Sequence, residues 1–208
     1  MKGYKFIPSQ FADSFANGNI RISPAHVFRQ DDGIDDGRSD PQELTTIVKL
    51  ENGEETVNSS HPLIRDIWQT YKGGQRVYDD VIFSGATISF IDNAYLFCLS
   101  SEYNDVIYSE MKNKFNADSA FEISDLEEFC SMLRRIPEIW YMPMNCDFVQ
   151  YDDTEHNHIS DIETIPYFTK RTMFSWQKEF RICWLGEVFG ESIIVNVPEV
   201  SSLLKRIQ

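Results

Sequence analysis

A chain of 208 residues, 42% hydrophobic and carrying 15 Phe, 9 Tyr and 4 Trp, has the material for one well-cored domain and is not composed like a disordered segment. Its formal net charge of −14 has the wrong sign for a broad nucleic-acid backbone footprint, which needs clustered Lys and Arg, but it suits a basic protein partner. The opening MKGYKFIPSQ lacks a continuous apolar stretch and no run approaches the ~18 apolar residues of a membrane span, so a cytoplasmic protein without a membrane partner is expected.

The first predicted element is a strand at Tyr4–Ile7. Pro8-Ser9-Gln10 then opens a helix with Phe11, Ala12 and Phe15 on one face, and Gly18 stops it. Ile20-Arg21-Ile22-Ser23 alternates as a strand, with Arg21 on the face opposite the two isoleucines. An arginine there can fork onto a phosphate or ribose, or simply sit exposed on an open sheet face. One helical turn is expected over 24–29. The Asp31–Glu43 stretch, punctuated by Gly33, Gly37 and Pro41, reads as an acidic loop without the ligand ladder of an EF-hand, and no metal is assigned to it.

Leu44–Leu50 predicts a strand, 51–54 a turn, and Glu55–Val57 its hairpin partner. A short helix is expected around Leu63–Trp68. Val81, Ile82 and Phe83 lie in a further apolar segment, and Ala86–Ile91 and Ala94–Ser100 read as buried strands joined by Asp92-Asn93. The second of these ends in Ser100-Ser101, which can meet a ligand or cap the amphipathic stretch 103–115. Ala120–Ile123 predicts a strand. Ser124-Asp125-Leu126-Glu127 is a capping-box pattern for a helix running through Phe129, Leu133 and Ile136, ended by Pro137.

Ile139–Tyr151 is apolar and β-prone, with Pro143 marking an edge or a bulge. Asp152–Glu163 is an acidic loop whose His156 and His158 lack a third ligand at defined spacing. Next comes Lys170–Leu185, a polar loop feeding the strand-forming run Phe180–Leu185. Gln177 and Glu179 stand two apart where that strand begins, and residues two apart on an extended segment share a face. The pair is therefore expected to project from the mouth of a sheet, where a carboxylate can meet a ligand; the plainer reading is an exposed residue at a strand end. Ser192–Val197 gives a last strand and Pro198 a short C-terminal helix to Ile207. The four cysteines, Cys98, Cys130, Cys146 and Cys183, have apolar neighbours and no CxxC spacing, which predicts buried reduced thiols. About eight to ten strands and four to five helices, neither strictly alternating nor segregated, predict one α+β domain over 1–208 with mixed or antiparallel sheets.

Tyr4-Lys5-Phe6, Asp40-Pro41-Gln42-Glu43, Phe97-Cys98-Leu99-Ser100, and Lys170 with Phe174, Gln177, Glu179, Phe180 and Arg181 together resemble a bacterial and phage family of unknown function. The order of an early arginine, a middle serine and a late Gln-x-Glu also resembles the arginine–serine–glutamate triad of NAD-dependent mono-ADP-ribosyltransferases. That resemblance implies an ADP-ribosyltransferase-like fold, NAD as substrate, and a macromolecular acceptor. It makes Glu179 the catalytic acid, Gln177 the residue that orients the acceptor, and Ser100 a contact on the nicotinamide side. The NAD-phosphate arginine is Arg21 by position, with Arg29 or Arg38 as alternatives. The usual Ser-Thr-Ser is replaced by Ser100-Ser101-Glu102. A phage effector, toxin or defence role follows from the same likeness. Two rival readings stand beside it: a non-catalytic acidic protein that binds and inhibits a basic host or phage partner, and a metal-dependent hydrolase built on Asp31–Glu43 or the His156/His158 loop.

Overall fold

The computed structural model describes residues 1–29, 40, 43–50, 54–58, 60–61, 70–72, 75–77, 80–84, 87–91, 94–153, 158–159, 167–185 and 190–208. In chain order the strands among them are β1 (Gly3–Ile7), β2 (Asn19–Pro24), β3 (Thr45–Lys49), β4 (Glu54–Asn58), β5 (Thr70–Lys72), β6 (Gln75–Val77), β7 (Asp80–Ser84), β8 (Thr87–Ile91), β9 (Ala94–Ser100), β10 (Ser119–Ile123), β11 (Met144–Phe148), β12 (Gln150–Tyr151), β13 (Thr169–Lys170), β14 (Glu179–Leu185), β15 (Ile193–Asn196) and β16 (Leu204–Arg206). The α-helices are short: α1 (Ala12–Ala16), α2 (Ala25–Arg29), α3 (Asp105–Phe115) and α4 (Leu126–Leu133). The fold is α+β, mostly antiparallel, and divides into two compact units. Unit 1 is Met1–Glu43, Asn93–Asp152 and Phe168–Gln208; unit 2 is Leu44–Asp92 and Asp153–Tyr167.

Unit 1 holds the main sheet, in the order β11-β14-β9-β1-β10-β16, with β2 branching from β9 and carrying β15. The branch arises because β1 reaches only the C-terminal end of β9, at Tyr4↔Ser100, while β2 pairs near its start, at Ser23↔Leu96 and Pro24↔Tyr95. The Cys98 carbonyl falls between these pairings. Lys5 Nζ donates to it at 2.7 Å and lies 4.4 Å from the centroid of the Phe97 ring. Burial there pushes the Lys5 pKa below its ordinary value.

One face of this sheet is packed with Phe97, Leu99, Phe121, Phe180, Ile182 and Trp184, against Phe15 of α1 and one face of α4. Leu126, Phe129, Cys130 and Leu133 of α4 recur at the helical period of three and four, so a single stripe is buried. Each large side chain removed from water here contributes about 1.5–3 kcal/mol. Asp125, not Ser124, caps this helix: its carboxylate accepts from Glu127 N and Glu128 N at 3.0 and 3.3 Å, while Ser124 Oγ donates to the Leu203 carbonyl. Asn104 caps α3 in the same way, accepting from Ile107 N at 2.9 Å, so Ser100 and Ser101 are not its cap.

The C-terminus departs from expectation. Only Pro198–Leu203 is helical, as a 3₁₀ turn with Val200 buried, and β16 then joins β10 through Phe121↔Arg206 and its neighbours. Pairing with the open edge of β10 satisfies backbone groups that a longer helix would leave beside an unpaired strand.

Unit 2 is built from small two-stranded ladders. The expected hairpin between the 44–50 and 55–57 strands does not form: β3 pairs with β8, and β4 with β7. The pairing gathers Val48, Leu50, Val57 and Ile159 into a small core with Val81 and Phe83, which a local hairpin would not recruit. The consecutive strands β8 and β9 thus enter different sheets. The helix expected around Leu63–Trp68 lies outside the described residues.

Gly18 ends α1 as anticipated, at φ +81 and with its carbonyl accepting from Val197 N at 2.8 Å. A Cβ at this position would lie 2.3 Å from the Val197 carbonyl oxygen, and the backbone would remain in the left-handed region. Gly18→Ala is therefore expected to lower the free energy of unfolding by about 2 kcal/mol or more in a denaturant titration. A change of only a few tenths would mean that the junction between α1 and β2 yields easily.

Candidate functional site

Strand β14 carries two chemistries on its two faces. Phe180, Ile182 and Trp184 enter the apolar core, so Glu179, Arg181 and Cys183 point the other way. Their register partners on β9 are Ser100, Cys98 and Leu96, and directly opposite residues on antiparallel strands share a face. Glu179 is 4% exposed, Ser100 2%, and Arg181 not at all. The site is buried and charged.

Both oxygens of Glu179 are committed. Oε1 accepts from Arg181 Nε at 2.8 Å, and Oε2 accepts from Lys170 Nζ at 3.0 Å. The Cys98 thiol adds a side-chain hydrogen bond to the same carboxylate. Lys170 Nζ also donates to Gln177 Oε1 at 2.9 Å, lies 3.7 Å from Glu43 Oε2, and stands over the Phe174 ring. Arg181 Nη1 reaches Glu43 Oε1 at 2.8 Å. Two carboxylates and two cations therefore neutralise one another out of water, the condition under which burying charge is tolerable.

The local sequence explains how the groups meet. Thr172–Gln177 forms a 3₁₀ turn, Lys178 turns back in the left-handed region at φ +47, and Glu179 begins the strand. Gln177 and Glu179 therefore do not lie two apart on one extended segment. They converge because the turn aims both at Lys170, which β13 sets beside β12 through Tyr151↔Lys170. The Tyr151 phenol oxygen accepts from Glu179 N at 2.8 Å, and burial pushes its pKa up to about 12. Glu43 N donates to the Asp40 carbonyl at 2.8 Å. Asp40 is held by Arg171 Nη2 at 2.7 Å, and Arg29 Nη1 donates to the Glu43 carbonyl at 2.8 Å.

Burial alone would raise the pKa of Glu179, but Arg181 and Lys170 override it and hold the carboxyl well below the usual range. Burial likewise opposes the charge on Lys170, yet Glu179 and Glu43 keep its pKa above the ordinary lysine value. Glu179 stays ionised in dry surroundings, fixed from both sides.

Of the residues singled out by sequence, Glu179, Gln177 and Ser100 come together. Ser100 Oγ lies 2.9 Å from the Gln177 carbonyl and 2.8 Å from that of Glu102, tying β9 to the turn before β14. Arg21 is exposed, with Nη2 donating to Ser192 Oγ at 3.2 Å, and takes no part in the contacts of Glu179. Arg38 and His156 lie outside the described residues, as does most of the 31–43 loop. His158 is exposed, with Nδ1 4.0 Å from Glu55 Oε2. Among the described residues no group of three or more His, Cys, Asp or Glu is placed to hold a metal ion.

Sequence reasoning did not assign site roles to Lys170, Arg181, Glu43 and Tyr151. The usable signal was the polar alternation Glu179, Arg181, Cys183 within an otherwise apolar strand, which marks a second, non-lipophilic buried face. Comparison of the chain with family models, with curated proteins and with solved structures returns no match.

A carboxyl whose pKa falls on folding, here from an ordinary 4.5, contributes stability that is full above about pH 5 and is lost as pH drops toward the folded-state value. Glu179→Gln leaves two buried cations short of a partner and is expected to cost about 3–5 kcal/mol at pH 7. The gap between wild type and variant should shrink by about 2 kcal/mol at pH 3, because the wild-type contribution falls by that amount over the interval. A gap independent of pH in denaturant titrations would show that the Glu179 charge is not what stabilises the fold.

Proposed function

We propose that this chain consumes NAD, breaking the bond between nicotinamide and ribose and passing ADP-ribose to a macromolecular acceptor or to water. The reading is supported by one observation above others: Ser100 and Glu179 are register partners on adjacent strands, with Gln177 at the mouth of the same strand. The branched antiparallel sheet around β9 is in keeping with an ADP-ribosyltransferase-like fold.

In this reaction the bond from ribose C1′ to the nicotinamide nitrogen breaks with its electron pair leaving on nicotinamide. Positive charge builds on the ribose, and an acceptor nucleophile or water then forms the new bond to C1′ and loses a proton. A fixed, ionised carboxylate stabilises that cation and requires no metal. Glu179 Oε2 already faces a cation, Lys170, so the developing ribose cation takes over the position of the ammonium. Lys170 then retains Glu43 and Gln177 as neighbours. Gln177 orients the acceptor, Ser100 faces the nicotinamide side, and an arginine among Arg21, Arg29 and Arg38 binds phosphate. Arg29 already touches the Glu43 backbone beside the cluster.

A second reading is favoured by the same geometry seen differently. With both Glu179 oxygens paired, the cluster is close to neutral and serves stability, while the net charge of −14 supplies an acidic surface for a basic partner.

The deciding experiment supplies labelled NAD and cell lysate to purified wild type, Glu179→Ala and Glu43→Gln, with folding checked by circular dichroism melts. Catalysis by Glu179 predicts nicotinamide release that falls by about 10³-fold in a folded Glu179→Ala protein. Glu43→Gln, which removes the carboxylate that keeps Lys170 paired once Oε2 is taken, is expected to lower turnover far less than Glu179→Ala while also melting lower. No nicotinamide release by wild type overturns the NAD reading. Binding to a basic partner that weakens as salt rises would then carry the second one.

A further inference from the structure

The two ends of the main sheet are finished differently. At one end β16 exposes Lys205 and Arg206, charges of the kind that discourage another strand from adding there. At the other end is β11, Met144-Asn145-Cys146-Asp147-Phe148, which carries no Lys or Arg. Among the described residues no strand pairs with its outer edge. Register decides which backbone groups lie on that edge. Leu185 N donates to the Pro143 carbonyl at 2.8 Å and Val149 N to the Glu179 carbonyl at 2.9 Å, so the odd-numbered residues exchange hydrogen bonds with β14. The N–H and C=O groups of Met144, Cys146 and Phe148 therefore point outward. Beyond them the edge is taken: Gln150 N donates to the Phe168 carbonyl at 2.7 Å and Met142 N to the Ile139 carbonyl at 2.9 Å. The open stretch is 144–148.

Its side chains are sorted by face. Met144 and Cys146 pack against the apolar core, and the Phe148 ring meets Phe180 edge-on at 5.3 Å while staying 43% exposed. Asn145 and Asp147 are exposed on the other face. Asp147 Oδ1 accepts from Phe148 N at 2.7 Å, so one outward N–H is held by its own neighbour. The segment leading into β11 exposes Trp140 by 71% and Tyr141 by 67%. Large aromatics beside an open edge are the composition of an interface rather than of a guarded sheet end.

We propose that the β11 edge is a homodimer interface, where a second copy of this chain adds its own β11 antiparallel about a two-fold axis at Cys146. Only the register centred there pairs all the open residues of both strands. It sets Cys146 opposite Cys146 of the second copy, Met144 opposite Phe148, and Asn145 opposite Asp147. Each even-numbered pair exchanges two backbone hydrogen bonds. Phe148 N–H then trades the Asp147 carboxylate for the Met144 carbonyl of the second copy. The released carboxylate accepts from the Asn145 amide across from it, so no acid on the strand directly opposes another acid. Such an edge is self-complementary, as a two-fold interface must be. The exposed parts of Trp140, Tyr141 and Phe148 amount to on the order of 350 Å² per copy, set against the ~800 Å² per partner of a standard interface. With the strands added, that suits a dimer of micromolar affinity. The net charge of −14 on each copy opposes association at long range, so the dimer tightens as salt screens it.

Sedimentation equilibrium of the purified full chain across the micromolar range, at low and high sodium chloride, reads the association directly. The average mass should climb from 24.2 kDa toward that of a dimer as concentration rises, and Kd should fall as salt rises. Asn145→Asp sets a carboxylate against Asp147 of the second copy and should raise Kd by about fivefold or more, whereas Asn145→Lys should lower it by a similar factor. Asn145 is exposed, so both variants keep the fold, which thermal melts check. Val106→Asp and Val106→Lys, at a position 71% exposed on α3, change net charge equally and should move Kd far less. A chain that stays monomeric throughout, a dimer that the Asn145 variants do not move, or a dimer that salt weakens would each overturn the proposal. So would a monomeric chain whose Asn145 variants alter only the capture of a basic peptide such as polylysine.

Discussion

The carboxylate of Glu179, gripped from one side by Arg181 and from the other by Lys170, is the contact on which the polar face of unit 1 depends. Neither an isolated buried carboxylate nor an isolated buried guanidinium is affordable in a dry interior, so each member of the cluster requires the others. The requirement reaches across the chain. Glu43 comes from the chain between α2 and β3, Lys170 from β13, and Arg181 from β14. Charge pairing thus fixes the segments over this face, where the opposite face is held by Phe97, Ile182 and Trp184 through apolar burial alone. Losing one partner leaves another charge buried and uncompensated, which is why the cluster is a sensitive place in the fold.

The backbone is shaped to serve that cluster. Lys178 adopts φ +47, a left-handed conformation that costs a non-glycine residue about 1 kcal/mol or more. The turn it makes lets Gln177 and Glu179 address one ammonium group from two directions. Ser101 helps to hold the bend, since its backbone N–H and its hydroxyl both donate to the Lys178 carbonyl, at 2.7 and 2.9 Å. Ser100 reaches the Gln177 carbonyl one residue earlier. The two serines at the end of β9 therefore position the strand opening beside them.

Much of unit 1 was legible because its signals are local. The short strand at β1, the stop at Gly18, the alternation of Ile20 and Ile22, the apolar run of β9 and the Phe180–Leu185 strand all rest on periodicity or on a residue with special backbone freedom. What failed was set by distant contacts. Nothing in 51–57 shows that β4 will seek β7 while β3 seeks β8, because that choice is made by Val81 and Phe83 reaching Val48 and Val57. The C-terminal strand likewise depends on β10 having an open edge, and Asp125 outcompetes Ser124 as a cap because Ser124 is drawn to Leu203. In the site, Gln177 and Glu179 were visible as a pair. Their partnership with Lys170 was hidden by the left-handed turn at Lys178, and the pairing of Lys170 and Arg181 with Glu43 by the long stretch of sequence between them.

The pairing of both Glu179 oxygens bears on any chemistry assigned to this site. A carboxylate cancelled by two cations projects little field on a neutral ligand, so tight ground-state binding is not what the arrangement favours. It favours a ligand that brings its own positive charge to Oε2, because such a ligand replaces Lys170 without leaving the carboxylate unpaired. The cost of displacing the ammonium is limited as well, since Gln177 Oε1 and Glu43 Oε2 remain beside it. In the proposed reaction an oxocarbenium-like ribose would meet that requirement only once its charge has developed. The interaction would then be stronger in the transition state than with the intact substrate, and only such a difference accelerates a reaction. The same two contacts that make Glu179 part of the structural framework thus define what kind of species could be stabilised by it.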